Sequence, residues 1–562
     1  RRQRQMCIRD RTRSVLKSSA RRRAATTLLA AGLTGLAALP LAAQAAGAAG
    51  TPVKGGDLTW GVESEPNTLN PQLNGQAKAK LILRASYESL FARKADGAYV
   101  PWLATAYEIS PDGKRYTFTL RDNVKFTDGR AFDAAAVATN FEQIRHATYC
   151  SSSTACEFGA RIQSVEAVDA RTVRIQLTEA YTPFLPFAAA LELLSPAAYD
   201  APSLKSGGPE LAGTGPFILK RYQKGQNVEF VRNPDYNWAP ATAAHQGPAW
   251  LDRVTYRFLP ESAVRTGALL SGQVDVIEGI SGNDARLFKG QSDYQYIKGY
   301  NAGTPYSLYL NVTYGPTRDV RVRRALLEGL DVDAVIASVY RGERTRAWGI
   351  ASPVDPYYTA ELERAYGNKP QLANQLLDDA GWSQRDAQGY RTKDGERLSI
   401  DIVQSQATVR DQRDVLLLAL QAQARQRLGV DFKLRYVDIG TYATVRKTGE
   451  FGSIPNSRTD TDGLNIGYHY LPVDQGGAIN YSRTAAPELR GWLAAGARSL
   501  DNAERRRQYG ALQKFAVADQ ALAVPLYIPE DQIAAGRHVQ GLGFRSLAQL
   551  PENAYDVWIK RP

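Results

Sequence analysis

The chain runs to 562 residues with a formal net charge of +12 at pH 7, a balance that invites a nucleic-acid or membrane-surface reading. That charge is concentrated at the front: residues 1–45 hold ten Lys or Arg against one acid, Asp10, so they carry +9 of it and the rest of the chain only +3. Nucleic-acid binding is therefore not expected, and the roughly 515 residues that follow are too many for one hydrophobic core, which predicts at least two lobes.

The extreme start, RRQRQMCIRDR, opens without an initiator Met and resembles translated adapter sequence. The basic run ending at Arg23 leads into AATTLLAAGLTGLAALPLAAQA, apolar, small and uncharged, which reads as a signal peptide with Ala43-Gln44-Ala45 as its cleavage pattern. The expected leader is residues 1–45. Pro40 and the glycines argue against a membrane span. No cysteine stands at the cleavage site, so a lipid anchor is not expected. The twin arginines of SARRRAA are followed by alanines, which leaves that export route open but not favoured. The expected compartment is the periplasm.

Next, GGDLTWGVE reads as a strand, and KRYTFTLRDNVKF alternates Tyr116, Phe118 and Leu120 with polar residues between two Asp-Gly turns, predicting a half-buried antiparallel strand. In AFDAAAVATNFEQI, Asp133 is placed to cap a helix whose Val137, Phe141 and Ile144 share a face. YCSSSTAC puts Cys150 and Cys156 in a polar loop, and an oxidising compartment predicts a disulfide between them. The rival metal site has no second cysteine pair and only His146 nearby. Helical periodicity runs through RVRRALLEGLDVDAVIASVY, QLANQLLDDAGW with Gly381 as its C-cap, RDVLLLALQAQARQRLGV and NAERRRQYGALQKFAVADQ. LSIDIVQ and VDFKLRYV flank the third as strands, and strand, helix, strand predicts α/β lobes.

Catalytic signatures are absent. His146, His245, His469 and His538 are scattered, so there is no H-E-x-x-H zinc helix, and neither G-x-S-x-G nor G-x-x-x-x-G-K-[ST] occurs. Gly213-Thr214-Gly215-Pro216 has a proline where a phosphate cradle needs an amide donor. The chain reads as a non-enzyme without cofactor or metal. An exported hydrolase, its site assembled from distant residues, is the alternative from another class.

GDLTWGVESEPNTLNPQL, YESLF and PWLATAYEISPDGKRYTFTLRDNVKFTDGRAFDAAAV resemble the amino-terminal signature of family 5 extracytoplasmic solute-binding proteins, the peptide, nickel and opine receptors of ABC importers. The resemblance continues through GTGPFILKRYQKGQNVEFVRNPDYNW, YLNVTYGPTRDVRVRRALLEGLD and LLDDAGW. It implies a two-lobed periplasmic binding protein fold of class II type with an enlarged first lobe and a hinge. The implied first lobe is residues 54–300 completed by 525–562, and the second lobe is 301–524. The ligand would lie between them, the partners being that ligand and the permease subunits, with the receptor a monomer.

Implied site residues follow from the same resemblance. Asn74, Gly75 and Gln76 match a loop whose backbone contacts ligand. Arg410, with Arg413 as its competitor, matches an arginine that pairs with a peptide carboxylate. Tyr306, Trp348 and Tyr468 are candidate apolar walls. The stretch NSRTDTDGLN, residues 456–465, fails as an EF-hand because Arg458 and His469 fall at the first and twelfth positions. Its Asp460-Thr461-Asp462 matches the family's D-P-D, which puts Ser457 where peptide receptors carry an aspartate for the substrate amine; Asp460 is the alternative, and Arg458 beside it suits an anionic group. The bland reading is that Asp460 and Asp462 cap a turn and the next helix. The expected ligand is a peptide or peptide-like solute, with an opine, a sugar oligomer or another organic solute as alternative, and Ser457→Asp is expected to favour amine-bearing ligands. Nickel-chelate and haem readings lose support because the sole methionine, Met6, lies in the leader.

Overall fold

The computed structural model describes residues 51–94, 96–146, 158–459, 464–471, 479–544 and 554–560. The leader, Cys150, Cys156, Asp460 and Asp462 lie outside them. Residues 49–562 form one compact unit.

Two sheets organise it. The first has seven strands in the order Tyr294–Tyr300, Glu530–Gly536, Val276–Glu278, Asp57–Val62, Arg253–Phe258, Asn227–Arg232 and Phe217–Gln223. Leu58, Trp60 and Val62 alternate into its core, the period of two that the GGDLTWGVE pattern predicts. A separate antiparallel sheet, Ala104–Ile109, Arg115–Leu120, Thr172–Leu177 and Ile162–Ala167, belongs to the same core. Tyr116, Phe118 and Leu120 are fully buried there. This strand is shorter than KRYTFTLRDNVKF suggests, because Asn123 adopts a positive φ of 62° and turns the chain away. Asp133 caps the helix Ala134–Arg145, its side chain accepting from Ala136 N at 2.9 Å.

The second sheet has six strands in the order Thr345–Arg346, Ala523–Ile528, Gly303–Leu310, Ser453–Thr459, Ser399–Ser405 and Asp431–Val437. Its core is distinct, built from residues between Tyr306 and Tyr527. The single helical pattern of RVRRALLEGLDVDAVIASVY folds as two helices, Val320–Gly329 and Val332–Tyr340, because Asp331 leaves the helical conformation and caps the second through Ala334 N at 3.0 Å. The chain passes between the sheets twice: Tyr294–Tyr300 gives way to Gly303–Leu310, and Ala523–Ile528 to Glu530–Gly536. The passes run side by side, with Tyr300 paired to Glu530 in one sheet and Tyr306 to Tyr527 in the other.

One buried carboxylate ties the first lobe together. Glu88 of YESLF is inaccessible and accepts from Trp102 Nε1 (3.2 Å), Thr214 Oγ1 (2.8 Å), Tyr236 OH (2.5 Å) and Trp238 Nε1 (2.9 Å). Burial pushes its pKa up to about 7 although all four donors pull it down. A carboxyl raised from 4.5 in the unfolded chain binds more protons when folded, so its contribution to stability declines as pH rises between those values. At about 1.4 kcal/mol per pKa unit, wild type should lose on the order of 3 kcal/mol relative to Glu88→Gln between pH 4.5 and pH 8. Urea unfolding of both proteins across that range checks this; a constant difference would count against it.

Candidate ligand-binding cleft

Strand Ser399–Ser405, helix Arg413–Leu428 and strand Asp431–Val437 make a parallel crossover, with Ser399 opposite Asp431 and Ser405 opposite Val437. Loops at the carboxyl ends of such strands are where α/β sheets present ligand-binding groups. In this loop Asp411 and Gln412 both adopt positive φ, 52° and 54°. Left-handed non-glycine residues cost about 1–2 kcal/mol each, so two in succession persist only where neighbouring contacts hold them.

Asp411 supplies those contacts. Arg344 Nη2 donates to its Oδ1 at 3.1 Å and Tyr527 OH to its Oδ2 at 3.4 Å, while Arg410 Nε and Arg413 Nη2 stand 3.7 and 4.0 Å from Oδ2. Burial raises the Asp411 pKa, but Arg344, Arg410 and Arg413 together outweigh it and hold the carboxyl well below the usual range. Three guanidiniums around one carboxylate leave an excess of positive charge. Arg344 is further satisfied by Glu530 O at 2.8 Å. Arg413 donates to Tyr527 OH at 3.0 Å and Ser457 Oγ at 2.8 Å, its guanidinium lying 4.1 Å over the Tyr306 ring. Arg410 differs: its side chain is 32% exposed and its Nε has no hydrogen-bond acceptor.

The opposing face comes from the first lobe. The 74–76 loop is braced by Asn74 Nδ2 to Thr68 O (2.8 Å), Gln76 N to Asn74 Oδ1 (2.7 Å) and Asn67 N to Gln76 Oε1 (2.7 Å). A Cβ at Gly75 would meet nothing within 4 Å, so this backbone borders open space. Lys78, nearly buried, pairs with Asp531 and lies 3.6 Å from Glu278. Burial opposes its charge, but Asp531, Glu278 and Asp411 raise its pKa and keep it protonated. Glu63 is pushed the other way, first by burial and then by Asp411. Asp411 of the second lobe thus acts on both first-lobe groups.

The implied site residues are distributed unevenly. Arg410 and Ser457 share the Asp411 cluster through Arg413. Tyr306 is fully buried, its hydroxyl donating to Gln404 Oε1 at 2.9 Å, so it backs the wall rather than forming it. Arg458 lies 4.3 Å over the Tyr468 ring, with its N donating to Thr304 Oγ1 at 2.9 Å. Tyr468 is buried against the first-lobe core, and Trp348 lines a different cavity. His469 is fully buried and stacked on Tyr309 at 4.1 Å; burial lowers its pKa to about 3, so it is neutral. Sequence reasoning missed Lys78, Arg344 and Asp411. Arg344 stood in the run RGERTRAW, where alternating arginines look like solvated charge, and Asp411 sat between two arginines it was never paired with.

Two lobes with separate cores, joined by paired chain passes and opposing charged faces beside them, define a two-lobed periplasmic binding protein. A match to bacterial extracellular solute-binding proteins, family 5 middle, spans residues 98–470, and the chain belongs to that family. It is 30% identical over 410 residues to the nickel-binding periplasmic protein of Escherichia coli K12, covering 70% of this chain and 73% of that one. The structure of NikA from Brucella suis in complex with Fe(III)-EDTA superposes with a TM-score of 0.78 at 26% identity, covering 90% of this chain and all of the other. The oligopeptide-binding protein AppA from Bacillus subtilis, in complex with a nonapeptide, shares the fold at TM-score 0.76 and 20% identity, covering 91% of this chain and all of that one. The chain is accordingly the solute-binding receptor of an ABC importer, with a ligand and a permease as partners.

The Arg413 contact changes what Ser457→Asp should do. A carboxylate there would stand within reach of Arg413 and pair with it, so the variant should gain no preference for amine-bearing ligands, which calorimetry with a free and an acetylated peptide checks. Asp411→Asn should instead cost about 3–5 kcal/mol in urea unfolding, because it strips buried guanidiniums of their counter-charge.

Proposed function

We propose that the receptor captures a carboxylate-bearing, peptide-like solute between its lobes, with Arg410 as the group that grips the carboxylate. The observation that carries this reading is the positive excess around Asp411, in which Arg344 and Arg413 are spent on Asp411, Glu530, Tyr527 and Ser457 while Arg410, its side chain 32% exposed, stands 3.7 Å from Asp411 with no hydrogen-bond acceptor at Nε. A charge-assisted bond to a carboxylate is the strong, geometrically specific interaction such a group makes. The 74–76 backbone supplies the first-lobe contacts, so a solute touching both faces favours the closed arrangement by its differential contacts. No covalent step is involved; the protein works as a periplasmic monomer, without nucleic acid, after export by its leader.

A second reading, an anionic metal chelate, is favoured by the likeness to the chain solved with Fe(III)-EDTA. Among the described residues no three His, Cys, Asp or Glu side chains converge on a metal position. A chelate brings its own ligands and presents carboxylates, so the same arginine would serve.

Calorimetry with one peptide in free, amino-acetylated and carboxyl-amidated forms tests the reading. Acetylation should change affinity little, whereas amidation, or Arg410→Ala with the free peptide, should weaken binding about a hundredfold, near the 3 kcal/mol expected for a hydrogen bond to a charged group. Equal affinity for the free and amidated peptides would refute the carboxylate grip, and tight binding of Fe(III)-EDTA with no peptide binding would favour the chelate.

A further inference from the structure

Two buried arginines stand two residues apart where the edge strand Thr345–Arg346 begins, and they are neutralised unequally. Arg344 has Asp411 at 3.1 Å; burial would lower its pKa, but Asp411 raises it. Arg346 has only 8% of its side chain exposed, yet its carboxylate partner is Asp333 at 3.7 Å, itself 58% exposed and therefore screened by water. Arg346 Nη1 donates to the backbone carbonyls of Ala347, Pro525 and Leu526, its Nε finds no acceptor, and its guanidinium lies 4.5 Å over the Trp348 ring. Burial pulls its pKa down. Tyr366, its ring 5.9 Å from the guanidinium, adds support but no formal negative charge, so an anion beside Arg346 would offset the cost of burying it.

Space for one is present. Arg346 lines a cavity of about 570 Å³ together with Trp348, Pro353, Tyr358, Arg364 and Ile528, a volume within the range of small-molecule sites. None of the residues lining it belongs to the Asp411 cluster, although Arg344 of that cluster stands two positions from Arg346. In the six-stranded sheet, Ala523–Ile528 and Gly303–Leu310 separate Thr345–Arg346 from the strand of Ser457, a distance of roughly 14 Å at the usual strand spacing.

We propose that this cavity is a second ligand site, taking a small monocarboxylate with a flat apolar body. Arg346 and Arg364 face the carboxylate, and Trp348, Tyr358 and Pro353 cover the body. Asp333 and Glu363, which also line the cavity, disfavour a second negative charge. The site adjoins both chain passes between the lobes. Ile528 is the last residue before Pro529, and Thr345 Oγ1 lies 3.1 Å from Tyr300 OH. A monocarboxylate bound more tightly in one lobe arrangement than the other would therefore shift closure, and by reciprocity the cleft ligand would shift its affinity.

Phenylacetate, with phenylacetamide and 2-phenylethylamine as neutral and cationic controls, tests the site by calorimetry and tryptophan fluorescence on the full chain. Phenylacetate should bind saturably at one equivalent, with both controls at least tenfold weaker. Arg346→Gln should abolish binding. Arg364→Glu, at an exposed position that leaves the fold alone, should weaken it at least fivefold. Trp348→Phe should keep binding in calorimetry while removing the fluorescence change. The proposal is overturned if millimolar phenylacetate does not bind, if phenylacetamide binds equally, if Arg364→Glu binds as wild type does, or if binding disappears in Arg410→Ala, which would place the probe in the cleft.

Discussion

Both lobes hang on two chain passes that lie side by side. Asn301 N donates to Pro529 O at 2.9 Å between them, with paired strands on either side. Strand pairing restrains the backbone up to Tyr300 and from Gly303, and again up to Ile528 and from Glu530, so relative movement of the lobes is confined to the few residues between. Glu530 marks the boundary: its carbonyl accepts from Arg344, its carboxylate accepts from Thr345 N at 3.1 Å, and Lys298 Nζ lies 3.3 Å from it. A hinge of this kind turns small contacts between the faces into a choice between two lobe arrangements.

Charge decides which contacts those are. On the second lobe one carboxylate, Asp411, is shared by three guanidiniums, and their contacts hold its left-handed backbone in place. On the first lobe Glu63, Glu278 and Asp531 surround a single ammonium, Lys78. The two clusters are opposite in sign, and the second carries its surplus positive charge at Arg410. Asp411 cannot serve a substrate amine because its own arginines occupy it.

Glu88 brings together stretches that lie far apart in the chain. YESLF supplies the carboxylate, PWLAT supplies Trp102, GTGPF supplies Thr214, and NPDYNW supplies Tyr236 and Trp238. Each carboxyl oxygen accepts from two of these donors, so losing any one of them removes a buried hydrogen bond to a desolvated group. Four segments are thereby held against one carboxyl.

Local chemistry made much of this legible from the sequence alone. The alternation of Tyr116, Phe118 and Leu120, the Asp133 cap, the glycine end of a helix at Gly381, and the strand, helix, strand order around residues 399–437 all depend on neighbours a few positions away, and their periods declare them. The family and its two-lobed plan followed from motif order. What stayed hidden was every relation set by distant residues. Tyr306 looked like a cleft wall, yet Arg413 covers it. Ser457 looked like a vacant amine site, yet its hydroxyl belongs to Arg413. Arg344 and Arg346 are two positions apart, and only the packing of residue 411 against the first, 67 positions away, gives it a close buried carboxylate that the second lacks. Charge compensation in a protein interior depends on which groups share a low-dielectric space, and that is decided by tertiary packing, not by order along the chain.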